Sequence, residues 1–162
     1  MRSPLPLPAA PPVLRETRYL HAGAVLCTQV PTQVSTVLGS CVAVCLWDAR
    51  LGVGGLNHYM LPFQPAGAAP SARYGDVALP ELLTRLAALG AVPPHLEAHV
   101  VGGGHVMAEL EHARHLGADN VALALRFLAA LRIPILSNET GGTRGRQLHF
   151  HTDDGTTRVR TF

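Results

Sequence analysis

The sequence predicts an α+β fold: a single-domain layered α/β fold, mostly antiparallel strands with two main helices packed on the sheet. Short apolar runs rich in β-branched residues recur along the chain, bounded by Gly, Pro and Asp clusters. Two segments carry apolar residues at helical spacing. Their order, β-β-β-β-α-β-α-β-β-β, groups strands together and is that of helices laid on a sheet.

Residues 1–16 are expected to be a disordered, proline-rich tail, and residues 17–162 the domain. Five of the first twelve residues are proline, which favours extended chain. Arg18–Thr28 and Gln33–Leu38 read as strands. Val42–Trp47 is a short apolar run and reads as a buried strand. Asp48 to Gly52 supplies turn chemistry, and Val53–Leu61 reads as the return strand of a hairpin. Gln64–Ser71 is rich in Pro, Ala and Gly and reads as a surface loop.

Asp76–Leu89 reads as a helix with Leu82, Leu83, Leu86 and Leu89 on one stripe. Pro80 is expected in its first turn, and Gly90 stops it. Leu96–Val101 is a strand ending in three glycines. A second helix is expected from about Asn120 to Leu131, with Asp119 as its cap and Val121, Leu125, Leu128 and Leu131 inward. Ile133–Ser137, Gln147–Thr152 and Thr156–Thr161 read as strands, the last two joined through Asp153, Asp154 and Gly155.

A chain of 162 residues can bury a substantial core. Its net charge of +2 and scattered arginines give no nucleic-acid stripe. No apolar run is long enough to span a membrane, and the N-terminus lacks the apolar core of a signal peptide. Cys27, Cys41 and Cys45 are too few and too odd in number for a disulfide framework, which fits a reducing compartment. A cytoplasmic monomer that does not insert in a membrane is expected.

Chemistry concentrates between Ser35 and Pro62. Cys41 follows a Gly39-Ser40 turn, and His58 stands seventeen residues later. A thiol nucleophile needs a base, and a hairpin can bring one to it. If the turn centres between Arg50 and Leu51, paired residues sum to 101 and Cys41 opposes Met60. His58 is then a diagonal neighbour on the same face, roughly 7–8 Å away at the backbone. A slip of one residue would separate the two.

The blocks LGSCVAVCLWD (38–48) and GGLNHYMLP (54–62) resemble the signature of the CheD family, the chemoreceptor glutamine deamidases of chemotaxis. The resemblance extends over about residues 17–161. Tyr19–Val25 is similar to the family's opening strand, and the Arg73–Asp76 block precedes a helix as it does there. The Val101–His105, Gly117–Asn120 and Glu139–Arg146 blocks follow in the family's order, each a weaker match than the Cys/His block.

The resemblance implies a three-layer arrangement and hydrolysis of receptor glutamine amides to glutamate, with Cys41 as nucleophile and His58 as its base. The implied substrate is the cytoplasmic helical bundle of a chemoreceptor, met by an open, shallow site. A phosphatase of the CheC type is the second implied partner, and a non-catalytic adaptor binding it is the alternative function. Backbone N–H groups at Gly39, Ser40 and Cys41 are the nearest oxyanion donors. In the family a threonine six positions before the cysteine orients the histidine. That position is Ser35 here, with Thr36 beside it. Adjacent strand residues face opposite sides, so one of the two can serve. Position favours Ser35 and residue type favours Thr36; position is given the greater weight.

Blander roles compete at each residue. Cys27 and Cys45 read as small buried hydrophobes, and Asn57 as a hydrogen-bonding group at a strand end. Gly102–Gly104 lacks the Lys-Ser/Thr pair of a phosphate loop and reads as a turn beside the site. Gly141, Gly142 and Gly145 read as turns. Cys41, Cys45 and His58 could ligate a metal, as could the pairs His95/His99 and His112/His115. Cys41–Cys45 is apolar strand rather than a knuckle loop, and a fourth ligand is lacking. Neither metal nor cofactor is expected.

Overall fold

A computed structural model describes residues 4–107 and 115–162 of the chain. It contains nine strands and two helices among those residues. The strands are β1 (Glu16–Tyr19), β2 (Val25–Thr28), β3 (Thr32–Leu38), β4 (Val42–Asp48), β5 (Val53–Asn57), β6 (Leu96–Gly102), β7 (Ile135–Thr140), β8 (Arg146–His151) and β9 (Thr157–Thr161). The helices are α1 (Gly75–Ala88) and α2 (Leu116–Ala130), with a short 3-10 turn at Pro93–His95. The strands form a four-stranded sheet in the order β1-β3-β8-β9 and a five-stranded sheet in the order β2-β5-β4-β6-β7. β1–β3 and β6–β7 are parallel, and the other pairs antiparallel.

Three layers follow from the burial of β4. Val42, Val44 and Leu46 face the helices and join Ala78, Leu79, Leu82, Leu86, Ala124 and Leu128. Ala43 and Cys45 face the four-stranded sheet and join Val34, Leu38, Leu148 and Phe150. A strand covered on both faces has no solvent side, so it reads as a continuous apolar run rather than an alternation. The larger sheet is thus the middle layer, and the outer face of the smaller sheet is open.

Five expectations are corrected. Arg18–Thr28 is two strands, β1 and β2, in different sheets. The break lies at His21–Ala24, where Gly23 takes φ +83° and Ala24 N–H closes a turn on the His21 carbonyl at 3.2 Å. Glu16, assigned to the tail, opens β1; residues 4–15 carry no strand or helix, and Arg15 pairs with Asp153 and Asp154. α2 starts at Leu116 and holds Asp119 within its first turn. It can start there because Gly117 packs on the glycine turn after β6, where a Cβ would stand 2.4 Å from the Gly103 carbonyl oxygen. Pro80 is the sixth residue of α1 and lies inside it. β7 is also displaced, beginning two residues later than expected, just after Pro134.

Among the described residues, no helix is long and apolar enough to cross a membrane.

Candidate active site

The β4–β5 hairpin has the register that places Cys41 and His58 on one face. Cys45 pairs with Leu56 and Leu46 with Gly55, each pair summing to 101. A bridge between Val42 and Tyr59 extends the pairing past β5, with N···O distances of 3.1 and 3.0 Å. Cys41 therefore shares the face of Ala43 and Cys45 and packs against the core between the sheets. His58, opposite Ala43 in that register, points to the same space. The backbone of His58 is held from the other side by the β1–β2 turn. Its N–H donates to the Ala24 carbonyl at 3.1 Å, and its carbonyl accepts from Gly23 N–H at 2.7 Å.

The imidazole is only 4% exposed. Its Nδ1 lies 2.7 Å from the Thr36 hydroxyl, which itself donates to the Leu20 carbonyl at 2.7 Å. A hydroxyl has one proton, and a carbonyl can only accept. Thr36 therefore accepts from Nδ1–H, and the lone pair resides on Nε2. Nε2 is buried and has no hydrogen-bond partner among the described residues. Burial lowers the imidazole pKa to about 4 against a weaker upward pull from the Leu20 carbonyl. Burial also raises the half-buried Cys41 thiol, opposed by its own backbone N–H. Both groups are neutral at pH 7, as a thiol and a free base.

Ser35 does not share this contact. Alternation along β3 buries Thr36 and turns Ser35 to the outer face, where it pairs with His149. Its backbone carbonyl accepts from Leu20 N–H at 2.9 Å.

The turn before Cys41 is held by its carbonyls. Gly39 accepts from Gly104 N–H and Cys41 from Gly103 N–H, each at 2.8 Å. The Ser40 carbonyl accepts from Asn120 Nδ2 at 3.0 Å. The N–H groups of Gly39, Ser40 and Cys41 donate to no backbone carbonyl among the described residues. Gly102 makes the approach possible: at φ +113°, a Cβ there would meet the Cys41 carbonyl oxygen at 2.2 Å. The Val101–His105 block is thus a turn against the site, as expected. Arg146 is buried beneath it and donates to the Gly102 and Gly141 carbonyls at 3.3 and 2.7 Å.

Comparison with known sequences finds relatives over most of the chain. The family model described as "CheD chemotactic sensory transduction" matches residues 60–161. A protein of Anaeromyxobacter dehalogenans named "Probable chemoreceptor glutamine deamidase CheD 1" is 49% identical over 142 residues, 88% of this chain and 82% of the relative. The chain belongs to the CheD family. Relatives named "Probable chemoreceptor glutamine deamidase CheD" in Rhodospirillum rubrum and Trichlorobacter lovleyi are 43% and 39% identical. They match 88% and 85% of this chain, and 81% and 85% of their own lengths.

In this CheD chain, sequence reasoning missed Asn120. It is fully buried in the first turn of α2. Its Nδ2 donates at 3.0 Å both to the Ser40 carbonyl, one residue before Cys41, and to the Met60 carbonyl, two after His58. The Asn120 backbone carbonyl accepts from the Tyr59 hydroxyl at 2.5 Å, and the side-chain Oδ1 has no partner among the described residues. A buried Asn on the inward side of a helix turn was the available signal, since such a group needs partners. Cys45 is fully buried and its thiol is pushed far up by desolvation. Cys27 is pushed up to about 12, again by burial. Of the histidines considered as ligands, His99 is bonded to Ser137 and to the Gly155 carbonyl, and His112 lies outside the described residues. No group of three metal-ligating side chains occurs among the described residues.

Proposed function

We propose that this chain is a cysteine-dependent hydrolase that converts glutamine side chains of chemoreceptors to glutamate in the cytoplasm. The observation that carries the reading is the unpartnered Nε2 of His58, held as a free base by Nδ1–H on Thr36 and facing the side of the hairpin that bears Cys41. The names of the relatives support the substrate class.

The chemistry runs through a thioester. Nε2 takes the proton of the Cys41 thiol as sulfur adds to the amide carbon. The oxyanion forms beside the free N–H groups of Ser40 and Cys41. Collapse expels ammonia, which receives the proton from Nε2. Water then attacks the thioester, Nε2 takes its proton, and sulfur departs and regains that proton, leaving glutamate. Thr36 orients the imidazole throughout, the role that position alone gave to Ser35. A thiol and imidazole that rest neutral deliver the proton only as the bond forms, so the free cysteine is a weak nucleophile without an amide in place.

The test is incubation with a receptor cytoplasmic fragment, followed by mass spectrometry for the Gln-to-Glu shift. Conversion by the intact chain and none by Cys41→Ala is expected. Full conversion by Cys41→Ala would end this mechanism.

A further inference from the structure

The open face of the smaller sheet lies on the other side of β3 from Thr36 and reaches the turn before Cys41 at Gly39. Val37, on the outer side of β3, stands two residues before Gly39 and is 43% exposed. With Gly39, Val106 and Phe162 it lines an apolar groove of about 370 Å³. From Val37 the outward residues run in rows across the strands. Val37 pairs with Gln147, which pairs with Arg160; Ser35 pairs with His149, which pairs with Arg158; Gln33 pairs with His151. The second and third strands of these rows line an open cleft of about 440 Å³. The face thus passes from an apolar groove beside the Gly39–Cys41 turn to a ladder of arginine and histidine.

Two arginines on this face have no counter-ion among the described residues. Arg158 and Arg160 are exposed and form no ion pair among the described residues. None of the outward residues of β3, β8 and β9 is acidic; Asp154, in the β8–β9 turn, bonds Arg15 and Thr156 and lies 3.8 Å from His151 Nδ1 at the far end of the ladder. The chain as a whole carries a net charge of only +2, so two unpaired arginines side by side are a concentration rather than a background. The histidines are fixed in place: Gln33 bonds His151 Nε2 at 3.0 Å and reaches His149 Nδ1 at 3.5 Å. Its amide donates to that Nδ1, so His149 Nε2–H is an outward donor.

We infer that this face is the docking surface for an acidic helix, whose apolar residues enter the groove beside Gly39 and whose carboxylates lie along Arg160, Arg158 and His149. The inference rests on Cys41 being the nucleophile, because the groove then sets which glutamine reaches it. Charge complementarity selects the occupant: arginines present planar donors that match carboxylates. Strand rise places Gln33 about 13 Å from Val37, so the ladder spans two to three helical turns.

The probe is a fluorescent helical peptide carrying one glutamine flanked by glutamates, with a counterpart in which the glutamates are replaced by glutamine. Anisotropy is measured with Cys41→Ala and with the same protein carrying Arg158→Glu and Arg160→Glu. The acidic peptide is expected to bind at least tenfold more tightly than its neutral counterpart. That preference should be lost in the reversed-charge protein and weaken steeply with salt. Alkylation of Cys41 by iodoacetamide, followed in protein that retains the cysteine, should not change on charge reversal. Equal binding of both peptides, an unchanged preference after charge reversal, or equally tight binding of a single-stranded oligonucleotide would overturn the assignment. Acidic-peptide binding without any deamidation would keep the docking face and remove the proposed reaction.

Discussion

His58 depends on one hydroxyl for its tautomer, and that dependence can be measured. Thr36→Val leaves Nδ1–H buried without an acceptor, so the imidazole is free to turn or change tautomer. Turnover is expected to fall by about 10²-fold, with a stability loss of about 1–3 kcal/mol. Thr36→Ser should restore most of the rate, and Ser35→Ala, on the outer face, should leave it near wild type. A large loss in Ser35→Ala alone would return the role to Ser35. The half-buried Cys41 and the buried Cys45 separate in the same way. Cys41→Ala should remain folded and inactive, whereas Cys45→Ala should retain activity and lose about 1–3 kcal/mol in urea unfolding.

The depressed pKa of His58 also has a consequence for stability. Its pKa is about 4 in the folded chain against 6.5 unexposed to the fold, so on acidification the unfolded state takes up the proton first. The contribution is complete above pH 6.5 and is lost as the pH falls toward 4, about 3 kcal/mol at most. Urea midpoints at pH 7.5 and 4.5 should therefore drop more for the wild type than for His58→Gln. Equal drops would show that the imidazole is not held neutral by burial.

Among the elements, the β4–β5 hairpin was the most legible, because turn residues and apolar length together fix a register. What the residues of β3 could not tell was which face is covered. Ser35 and Thr36 both offer a hydroxyl, and the choice is made by packing between the sheets, a long-range fact. The break between β1 and β2 was hidden for a similar reason: Gly23 sits inside a mostly apolar stretch, and its positive φ is set by where the two sheets diverge. α2 begins earlier than an Asp119 cap implies, because Gly117 packs directly against Gly103, a long-range contact. Asn120 then makes α2 part of the site. Asn120→Ala removes both bonds to the Ser40 and Met60 carbonyls, at a cost of about 2 kcal/mol. Its unfolding midpoint should fall, and Cys41 should alkylate at an altered rate as the two strand ends move independently. An unchanged rate in a folded protein would show that the clamp is unnecessary.

In the whole molecule, helices packed on sheet were readable from the order of elements, and the split into two sheets was not. That split divides the candidate site between two layers. Thr36 belongs to the smaller sheet, while Cys41 and His58 belong to a hairpin of the larger one. Leu20, whose carbonyl fixes the Thr36 proton, lies on the connection that crosses between them. The 2.7 Å bond from His58 to Thr36 therefore spans a layer boundary. A chain in which the hairpin has formed but the smaller sheet has not yet settled would own both reactive side chains and still be silent. On the proposed mechanism, amidase activity would report that both sheets are in place, since neither layer alone holds the Cys41, His58 and Thr36 set.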